Sequence, residues 1–413
     1  MPSYDAIIIG GGPAGLLLAR NLSKKHSVLV LEKNRIGDTK RSWLTYEDRW
    51  HHEGFPSSMI TNSFSEWALG AEDPSPEHIV IKDRFICFDE HAFLRYISEE
   101  ARRSGCAIQE GTPFQGFSRK GKDVLINGTY TTRLVIDCSG SQSKLIKQFK
   151  LVEVPLSINC HGYVAEFRKL ANENYYSAYD DRQAVCSNFG ITKVAENKAF
   201  ITYVTFTDLP IRDSPRRMAE ALKRFSIGKH TILEDKTDSY QAGILKKRAL
   251  DNFFFFGDAG FYSPPYTGMG FNEIVRQYTS VAKHLSGRIR SQAFDEGSLL
   301  PTETMAQDID NLFFRLVGLI TSGAPYESLR RMVEIGKTLP NAALQRMFRN
   351  ELSDGEVVTV IKNALAEHDL MPLVRNMRRQ HVTPLLKTLV RLDEKLVLEE
   401  LHDLIFQHHK IRI

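Results

Sequence analysis

Three glycines near the amino terminus, at the spacing G-x-G-x-x-G, carry the clearest chemical meaning in this chain. Gly10, Gly12 and Gly15 follow the apolar run of residues 6–9, which is typical of a buried parallel strand. The first glycine allows a tight turn, the second leaves room for a pyrophosphate, and the third lets helix and strand pack closely. Glu32 ends a second apolar strand and is placed to accept hydrogen bonds from a ribose diol. The pattern predicts an adenine dinucleotide with its phosphates at a helix N-terminus.

Two further turns of this kind lie later in the chain. Residues 250–285 read as an apolar strand, Gly257-Asp258, a proline-bearing loop, a glycine pair and a helix. In a flavin enzyme the acidic residue after such a strand would bind the ribityl chain, and we assign that role to Asp258. The amides of residues 268–270 would open the helix and face the pyrimidine edge of an isoalloxazine. The third turn ends an apolar strand with Asp137-Cys138-Ser139-Gly140.

Together these segments carry a family resemblance. GGGPAG with Glu32, then VIDCSG, then FGDAGFYSPPYTGMGF resemble the FAD-binding motifs of the superfamily of aromatic hydroxylases, geranylgeranyl reductases and lycopene cyclases. INCHGYVAEF, residues 158–167, is similar to a segment of the lycopene cyclases, so the cyclase-like branch fits best. The resemblance covers residues 1–290 in scattered motifs and implies FAD as the cofactor. The turns and the resemblance assign cofactor binding to Gly10, Gly12, Pro13, Ala14, Gly15, Glu32, Lys33, Arg41, Asp137, Gly140, Gly257, Asp258, Pro265, Gly268, Met269 and Gly270.

Two departures from the cyclases favour redox chemistry. Where plant-type cyclases carry a Phe-Leu-Glu-Glu-Thr segment with a catalytic acid, residues 200–205 read FITYVT and contain no carboxylate. Gly257-Asp258 resembles the Gly-Asp of redox-active hydroxylases and reductases. We therefore predict an FAD-dependent oxidoreductase, a monooxygenase or double-bond reductase, acting on a hydrophobic polyene, isoprenoid or aromatic molecule. NAD(P)H would act as a transient reductant, or a reductase partner would supply electrons.

Two alternatives stay open on the sequence. The first is a non-redox isomerase or lyase, resembling the lycopene cyclases, in which reduced FAD stays bound while a carboxylate moves a proton. The second is a protein that holds FAD or a carotenoid without turnover.

The side chains for proton transfer are weakly marked. His161 lies in an apolar strand, where a buried imidazole titrates near neutral pH, although the pattern favours a core histidine with satisfied hydrogen bonds. Tyr266 and Glu273 are further candidates, and Glu166 is another acid without a motif. The adjacent His51 and His52 have no further ligand at useful spacing, so we predict a polar surface and no metal site.

Aromatic and basic residues surround the predicted flavin loop. Phe261, Tyr262 and Tyr266 are equally consistent with stacking on the flavin and with core packing, whereas residues 253–256 and Trp43 are expected in the core. The guanidinium of Arg41 would pair with the pyrophosphate in a bidentate fork.

Composition limits the class of protein. The chain has 413 residues, 42% of them hydrophobic, with 54 basic and 50 acidic side chains, so nucleic acid is not an expected partner. Its five cysteines form no C-x-x-C pair, which indicates free thiols in a reducing cytoplasm. No signal peptide is apparent, and the longest apolar stretch, 312–320, is interrupted by Arg315. We expect a soluble cytoplasmic protein, with peripheral membrane contact left open.

The predicted fold class is α/β, with a Rossmann-like FAD domain of the glutathione reductase type interleaved with a β-rich substrate domain. The FAD domain takes residues 1–45, 85–155 and 250–290, and the substrate domain takes 46–84 and 156–249. Residues 291–413 follow a helical pattern. Asp89 is expected to cap a helix with an inward stripe, and Asn127-Gly128 indicates a type I′ hairpin.

Overall fold

The computed structural model describes residues 1–71, 77–169, 174–181, 184–205, 214–224, 227–263, 268–300, 325–352 and 356. The strands are β1 Ser3–Tyr4, β2 Ala6–Ile9, β3 Val28–Leu31, β4 Leu44–Tyr46, β5 Ile60–Ala71, β6 Glu77–Phe88, β7 Ala107–Gln109, β8 Phe117–Lys120, β9 Asp123–Ile126, β10 Tyr130–Thr132, β11 Val135–Asp137, β12 Val152–Phe167, β13 Tyr175–Asp181, β14 Ala184–Ala195, β15 Lys198–Thr205, β16 His230–Asp235, β17 Asp238–Leu245, β18 Ala249–Leu250 and β19 Phe253–Phe255. The helices are α1 Pro13–Leu22, α2 Glu47–His52, α3 Glu90–Arg103, α4 Lys144–Phe149, α5 Ser214–Arg224, α6 Gly270–Ser291, α7 Glu296–Leu299, α8 Pro325–Thr338 and α9 Asn341–Arg349, with short 3₁₀ turns at Ser57–Met59 and Gly257–Gly260.

A mostly parallel six-stranded sheet forms the centre of the first half of the fold. Its order is β18-β19-β11-β2-β3-β7, and only β18 runs antiparallel to its neighbour. Both faces of this sheet are covered, which explains why its strands are continuous apolar runs. Alternate residues such as Ile8 and Val30 pack with α1, α3 and α6, while Ile7 and Leu29 pack towards α4 and a smaller sheet. The arrangement is the predicted Rossmann-like core.

The smaller sheet has the order β1-β10-β9-β8 and closes the second face of the core. Its β9–β10 hairpin turns at Asn127 and Gly128, whose φ angles of +52° and +66° are those of a type I′ turn. The hairpin and the helix capped by Asp89, whose carboxylate accepts from the Ala92 amide at 2.8 Å, were both predicted from local sequence. Local signals of this kind need no tertiary information.

A nine-stranded, mostly antiparallel sheet forms the second half of the fold. The order β16-β12-β15-β14-β13-β5-β6-β4 places the two excursions of the chain side by side, with β17 paired to β12. Its strands span residues 44–88 and 152–245, compared with predicted limits of 46–84 and 156–249. At the outer strand β16, a register shift leaves Leu233 between the paired residues Ile232 and Glu234.

Alternation along β12 decides which side chains face the first half of the molecule. Cys160 lies opposite Asp238 of β17, and Ile158 lies opposite Tyr240. Tyr163 and Ala165 belong to the other face, where they form a core with Met218 and Ala221 of α5. His161 shares this second face by its position in the strand, since successive side chains alternate.

The described C-terminal helices α8 and α9 pack on β5 and β6. Phe348 makes an edge contact with Trp67, and Arg349 forms an ion pair with Asp83 at 2.7 Å. The predicted helical pattern holds in residues 325–349, and the rest of the region from 301 onwards, including the stretch 312–320, lies outside the described residues.

The glycine turn after β2 leaves no space for side chains. A Cβ atom on Gly15 would lie 2.0 Å from the carbonyl oxygen of Gly10, and one on Gly10 would lie 2.4 Å from that of Cys138. The φ of Gly10 is +105°, a conformation that residues other than glycine rarely adopt. The Gly257-Asp258 turn meets the same helix, because a Cβ on Gly257 would lie 2.7 Å from that of Ala14.

We expect Gly15→Ala to lower the free energy of unfolding by about 1–3 kcal/mol, since the added methyl group forces α1 away from the turn. Gly287→Ala is a matched control on α6, because no atom lies within 4 Å of the place that its methyl group would take. That change should raise stability by up to about 1 kcal/mol through helix propensity. Urea unfolding of both variants measures the difference, and equal effects would contradict the close contact.

Candidate functional site

A cavity of about 650 Å³ lies between the two halves of the fold. One end is formed by the glycine turn after β2 and by Glu32, and the opposite wall comes from β12, β15 and β17. Every residue of the segment 32–43 lines the cavity. Predicted cofactor residues on the wall are Gly10, Gly12, Pro13, Ala14, Glu32, Lys33, Arg41, Gly140, Asp258, Gly268 and Gly270.

Gly12 is the open point of the turn. Nothing lies within 4 Å of a Cβ built on this residue, in contrast to its neighbours Gly10 and Gly15. Gly12 caps the N-terminus of α1, where no side chain makes a capping hydrogen bond and Pro13 provides the first helical residue. The free helix end carries partial positive charge and is suited to an anion such as a pyrophosphate.

Glu32 is held at the end of β3 by two backbone amides. Its Oε2 accepts from the Gly11 amide at 2.6 Å, and its Oε1 accepts from the Asn34 amide at 2.8 Å. Each carboxylate oxygen can accept more than one hydrogen bond, so both keep capacity towards the cavity. This is the geometry expected for an acidic residue that binds a ribose diol.

Asp137 lies behind the cavity wall rather than on it. Its carboxylate is buried and accepts from the amide of Ser139 at 2.9 Å and from the hydroxyls of Ser139 and Ser143. Burial raises the pKa of Asp137, and these three hydrogen bonds oppose the shift. Asp137 therefore shapes the loop that presents Ser139 and Gly140, and the assignment of direct cofactor contact is corrected.

Asp258 and the start of α6 form the far end of the predicted cofactor site. Gly270 packs so closely on Asp258 that a Cβ atom there would lie 3.0 Å from the Asp258 Oδ1. Burial raises the pKa of Asp258; Arg41 opposes the shift and Asp238 adds to it. Met269 and Gly257 stand behind the wall: Met269 is buried with its sulfur 3.7 Å from the Tyr46 hydroxyl, and Gly257 packs on Ala14. Pro265 lies outside the described residues.

Arg41 connects the segment 32–43 to the large sheet. Its guanidinium pairs with Asp238 at 3.1 Å and lies 4.9 Å above the centre of the Tyr240 ring. The predicted pairing with a pyrophosphate would therefore compete with Asp238. Sequence reasoning missed Asp238 and Tyr240, because their place on the wall depends on the register of β17 against β12.

A charged cluster around the buried Lys236 holds the segment 32–43 in place. The Lys236 ammonium, with a side chain 0% exposed, pairs with Glu90 at 2.6 Å and with Glu234 at 2.7 Å. Glu90 also accepts from the Ser42 hydroxyl at 3.1 Å, and the neighbouring His91 bonds the Gly37 carbonyl at 2.5 Å. We call Lys236, Glu90, Glu234 and His91 the lysine cluster; it joins α3, the turn after β16 and the segment 32–43.

The three proton-transfer candidates from the sequence do not meet in the cavity. His161 faces away from it, bonds the Thr237 hydroxyl at 2.9 Å, and has its pKa lowered by burial. Glu273 is buried within α6 and pairs with Arg276 at 2.6 Å, behind the cavity wall. Tyr266 lies outside the described residues. The prediction that His161 and Glu273 act as proton-transfer groups is therefore corrected, because neither side chain lines the cavity.

The aromatic wall is also different from the expected one. Phe261 and Tyr262 are buried in two core clusters, and the core interpretation is the right one for them. Trp43, expected in the core, lines the cavity and stacks on Phe271 with 5.7 Å between ring centres. Phe200 and Cys160 complete the apolar wall. Residues 253–256 are buried, as predicted.

The polar surface predicted at His51 and His52 agrees with the structure. His51 and His52 are exposed, on the short helix α2 rather than in a loop. No group of three metal-binding side chains occurs in the ranges that the structure covers. Within those ranges no helix is long and apolar enough to cross a membrane. The described cysteines are free thiols.

Comparison with known proteins gives matches over different lengths of the chain. Residues 8–65 match the family of NAD(P)-binding Rossmann-like domains. Digeranylgeranylglycerophospholipid reductase 3 of Methanosphaera stadtmanae is 22% identical over 334 residues, which cover 71% of this chain and 80% of the relative.

Solved structures show the same fold. A geranylgeranyl bacteriochlorophyll reductase-like protein from Thermoplasma acidophilum superposes with a TM-score of 0.66 at 16% identity, covering 98% of this chain and 100% of that one. The halogenase PltM, solved with phloroglucinol and FAD, gives a TM-score of 0.62 at 13% identity and covers 98% and 96% of the two chains.

The fold is that of a Rossmann-like dinucleotide-binding domain interleaved with a large antiparallel sheet, and the solved flavoenzymes share it. The predicted superfamily, which includes the geranylgeranyl reductases and aromatic hydroxylases, is confirmed, and so is the predicted α/β fold class. These relatives support the superfamily as a whole, and they do not specifically support its cyclase-like branch.

We expect Gly12→Val to fold normally and to lose FAD. The Cβ atom of the branched side chain enters the open space at the helix N-terminus, with no protein atom within 4 Å, so the change should obstruct a ligand rather than the fold. Gly116→Val is the matched control, a loop glycine that also has no neighbour within 4 Å. Flavin absorbance and thermal unfolding of the purified proteins check this prediction. A folded Gly12→Val protein that retains FAD would contradict the placement of the pyrophosphate at Gly12.

Asp258→Ala should have opposite effects on cofactor and fold. Loss of a buried hydrogen-bond acceptor should weaken FAD binding by about 1–3 kcal/mol. Because burial raises the pKa of Asp258, the folded protein binds its proton more tightly than the unfolded chain does, and stability falls as pH rises above about 3.9. The cofactor-free variant should therefore be more stable than the parent at neutral pH, with no gain in acid.

Asp235→Ala provides the control for this prediction. Hydrogen bonds from Thr237 lower the pKa of this exposed carboxylate, so its contribution has the opposite sign and is lost as pH falls. Alanine at position 235 should reduce stability at neutral pH and leave FAD affinity unchanged. Denaturant titrations at several pH values and flavin titration measure both effects; parallel pH behaviour of the two variants would contradict the burial of Asp258.

Proposed function

We propose that this protein is an FAD-dependent reductase of carbon–carbon double bonds in a hydrophobic polyene or isoprenoid substrate. The observation that carries the proposal is the cavity itself, in which a dinucleotide turn and one face of the large sheet, with Phe200 and Cys160 on it, line one space of about 650 Å³. Cavities of this size are typical of cofactor and substrate sites. The reductases among its relatives support reduction over cyclisation.

The residues present fit FAD. Gly12 and the N-terminus of α1 provide an open anion site, Glu32 lies at the ribose end, and Asp258 lies near the start of α6 at the other end. Pro13, Ala14, Lys33 and Gly140 would complete the cofactor wall in this proposal. When bound and reduced by a nicotinamide donor, FAD supplies the hydride. Neither NAD(P)H nor a reductase partner is assigned a separate site.

The protein orients the substrate and excludes water. Trp43, Phe271 and Phe200 offer flat apolar surfaces to a chain of double bonds, and a substrate packed on them would displace water from the reacting carbons. The N-terminus of α6 favours negative charge at the adjoining edge of the cofactor. The lysine cluster keeps the segment 32–43 against the cavity and thereby fixes the place of Trp43.

One anaerobic experiment tests the reaction class. The protein is reduced with a stoichiometric amount of NADPH or dithionite and mixed with digeranylgeranylglycerophospholipid, geranylgeraniol, retinal or lycopene. Reduction predicts that at least one compound reoxidises the flavin in proportion to a product that has gained two hydrogen atoms. Absorbance of the flavin and mass spectrometry of the product give the two quantities.

Other outcomes would overturn the proposal. Formation of ringed carotenoid from lycopene without net change in flavin state would establish the cyclase-like alternative. Substrate-dependent oxygen consumption with a hydroxylated product would establish a monooxygenase. Retention of FAD with no reaction of any of the four compounds would leave a binding protein as the better interpretation.

A further inference from the structure

The cavity wall carries one phenol in the described residues, that of Tyr240. Its hydroxyl makes no hydrogen bond to a described residue, and it lies 3.8 Å from the position of a Cβ atom built on Gly268. Gly268 lies two residues before the start of α6, where the isoalloxazine edge would lie in the proposed cofactor arrangement. Tyr240 is half-buried on the cavity wall, so its hydroxyl is available to donate a hydrogen bond to a ligand in the cavity.

The sheet and Arg41 hold the Tyr240 ring in place. Tyr240 lies opposite Ile158 in the β17–β12 pairing, on the same face as Cys160. The Arg41 guanidinium covers the ring at 4.9 Å and is itself held by Asp238 at 3.1 Å. Burial raises the pKa of Tyr240 while Arg41 opposes this, so the hydroxyl keeps its proton at neutral pH and a cation stands beside any phenolate that forms.

We propose that Tyr240 is the proton donor of the reduction, an inference that rests on the proposed function. With FAD bound and reduced, a hydride would be added to one carbon of the double bond, and the π electrons would move to the other carbon. That carbon takes the proton of the Tyr240 hydroxyl, and the phenolate regains a proton from water. In balance, the substrate gains two hydrogen atoms and the nicotinamide donor that re-reduces the flavin loses a hydride.

A phenol as proton donor restricts the class of substrate. With a pKa of about 10 or higher, it is far too weak to protonate an isolated alkene, so the hydride must move first or together with the proton. Hydride addition is feasible where the resulting negative charge is delocalised. The substrate is therefore a conjugated polyene or a double bond conjugated to a carbonyl group.

The experiment compares Tyr240→Phe with Tyr163→Phe in the FAD-loaded protein, with retinal as the probe. Tyr163 is a matched control, because it lies on the opposite face of the same sheet and bonds His230 at 3.0 Å. In anaerobic stopped-flow mixing, Tyr240→Phe should slow flavin reoxidation by retinal about 100-fold or more, the usual contribution of a general acid. Reduction of the flavin by dithionite and the affinity for FAD should be unchanged.

Two further readouts separate this role from a structural one. The parent protein should show a solvent deuterium isotope effect on reoxidation, and Tyr240→Phe should change it. Because a tyrosine close to an isoalloxazine quenches its fluorescence by electron transfer, bound oxidised FAD should lose a fast decay component in Tyr240→Phe and keep it in Tyr163→Phe.

The outcomes are distinguishable from failure of the proposed function. If no polyene or isoprenoid reoxidises the flavin of the parent protein, the proposed function fails. If the parent reduces retinal and Tyr240→Phe does so at the same rate, only the role of Tyr240 fails. Loss of FAD from Tyr240→Phe would make it a cofactor-binding residue, and equally fast reduction of geranylgeraniol would overturn the substrate class.

Discussion

The structure depends on backbone contacts that leave no room for a methyl group. After the first strand of the parallel sheet, a Cβ atom on Gly15 would overlap the Gly10 carbonyl oxygen. A Cβ atom on Gly10 would in turn overlap the loop that contains Cys138. Gly257 meets α1 from a third direction. Because these contacts bring three turns to one point, the helix N-terminus, the loop at Gly140 and Asp258 all open on the same cavity. Gly12 stays free of contacts within this crowded turn, which reserves its space for a ligand.

Charged groups then fix the large sheet against this framework. The lysine cluster, centred on the buried Lys236, joins three segments that are distant in sequence, and the pair of Arg41 and Asp238 adds a second connection across the cavity. Removing one partner of a buried pair leaves an uncompensated charge, so such groups define one arrangement more strictly than apolar contacts do. The position of Trp43 on the cavity wall follows from these connections.

Local sequence patterns were sufficient for the parallel core, the Asp89-capped helix and the Asn127-Gly128 hairpin, because each depends on residues close in the chain. The cavity wall depends instead on strand register. A one-residue alternation along β12 decides that Cys160 faces the cavity and His161 does not, and the pairing of Tyr240 with the distant Ile158 brings Tyr240 there. Phe261 and Tyr262 were ambiguous for the same reason, since an aromatic residue near a loop is compatible with either environment.

The interleaved order of the chain has a consequence for folding. The parallel sheet needs strands from residues 6–9, 107–109, 135–137 and 253–255, and the large sheet fills the intervals between them. Neither sheet can form from one continuous fragment. The chain must therefore close long loops before the stabilising contacts within each sheet can form. Chains with such non-local pairing fold slowly, and their unpaired strand edges are exposed meanwhile. Production of this protein should therefore respond more strongly to chaperone supply and growth temperature than its native stability would suggest.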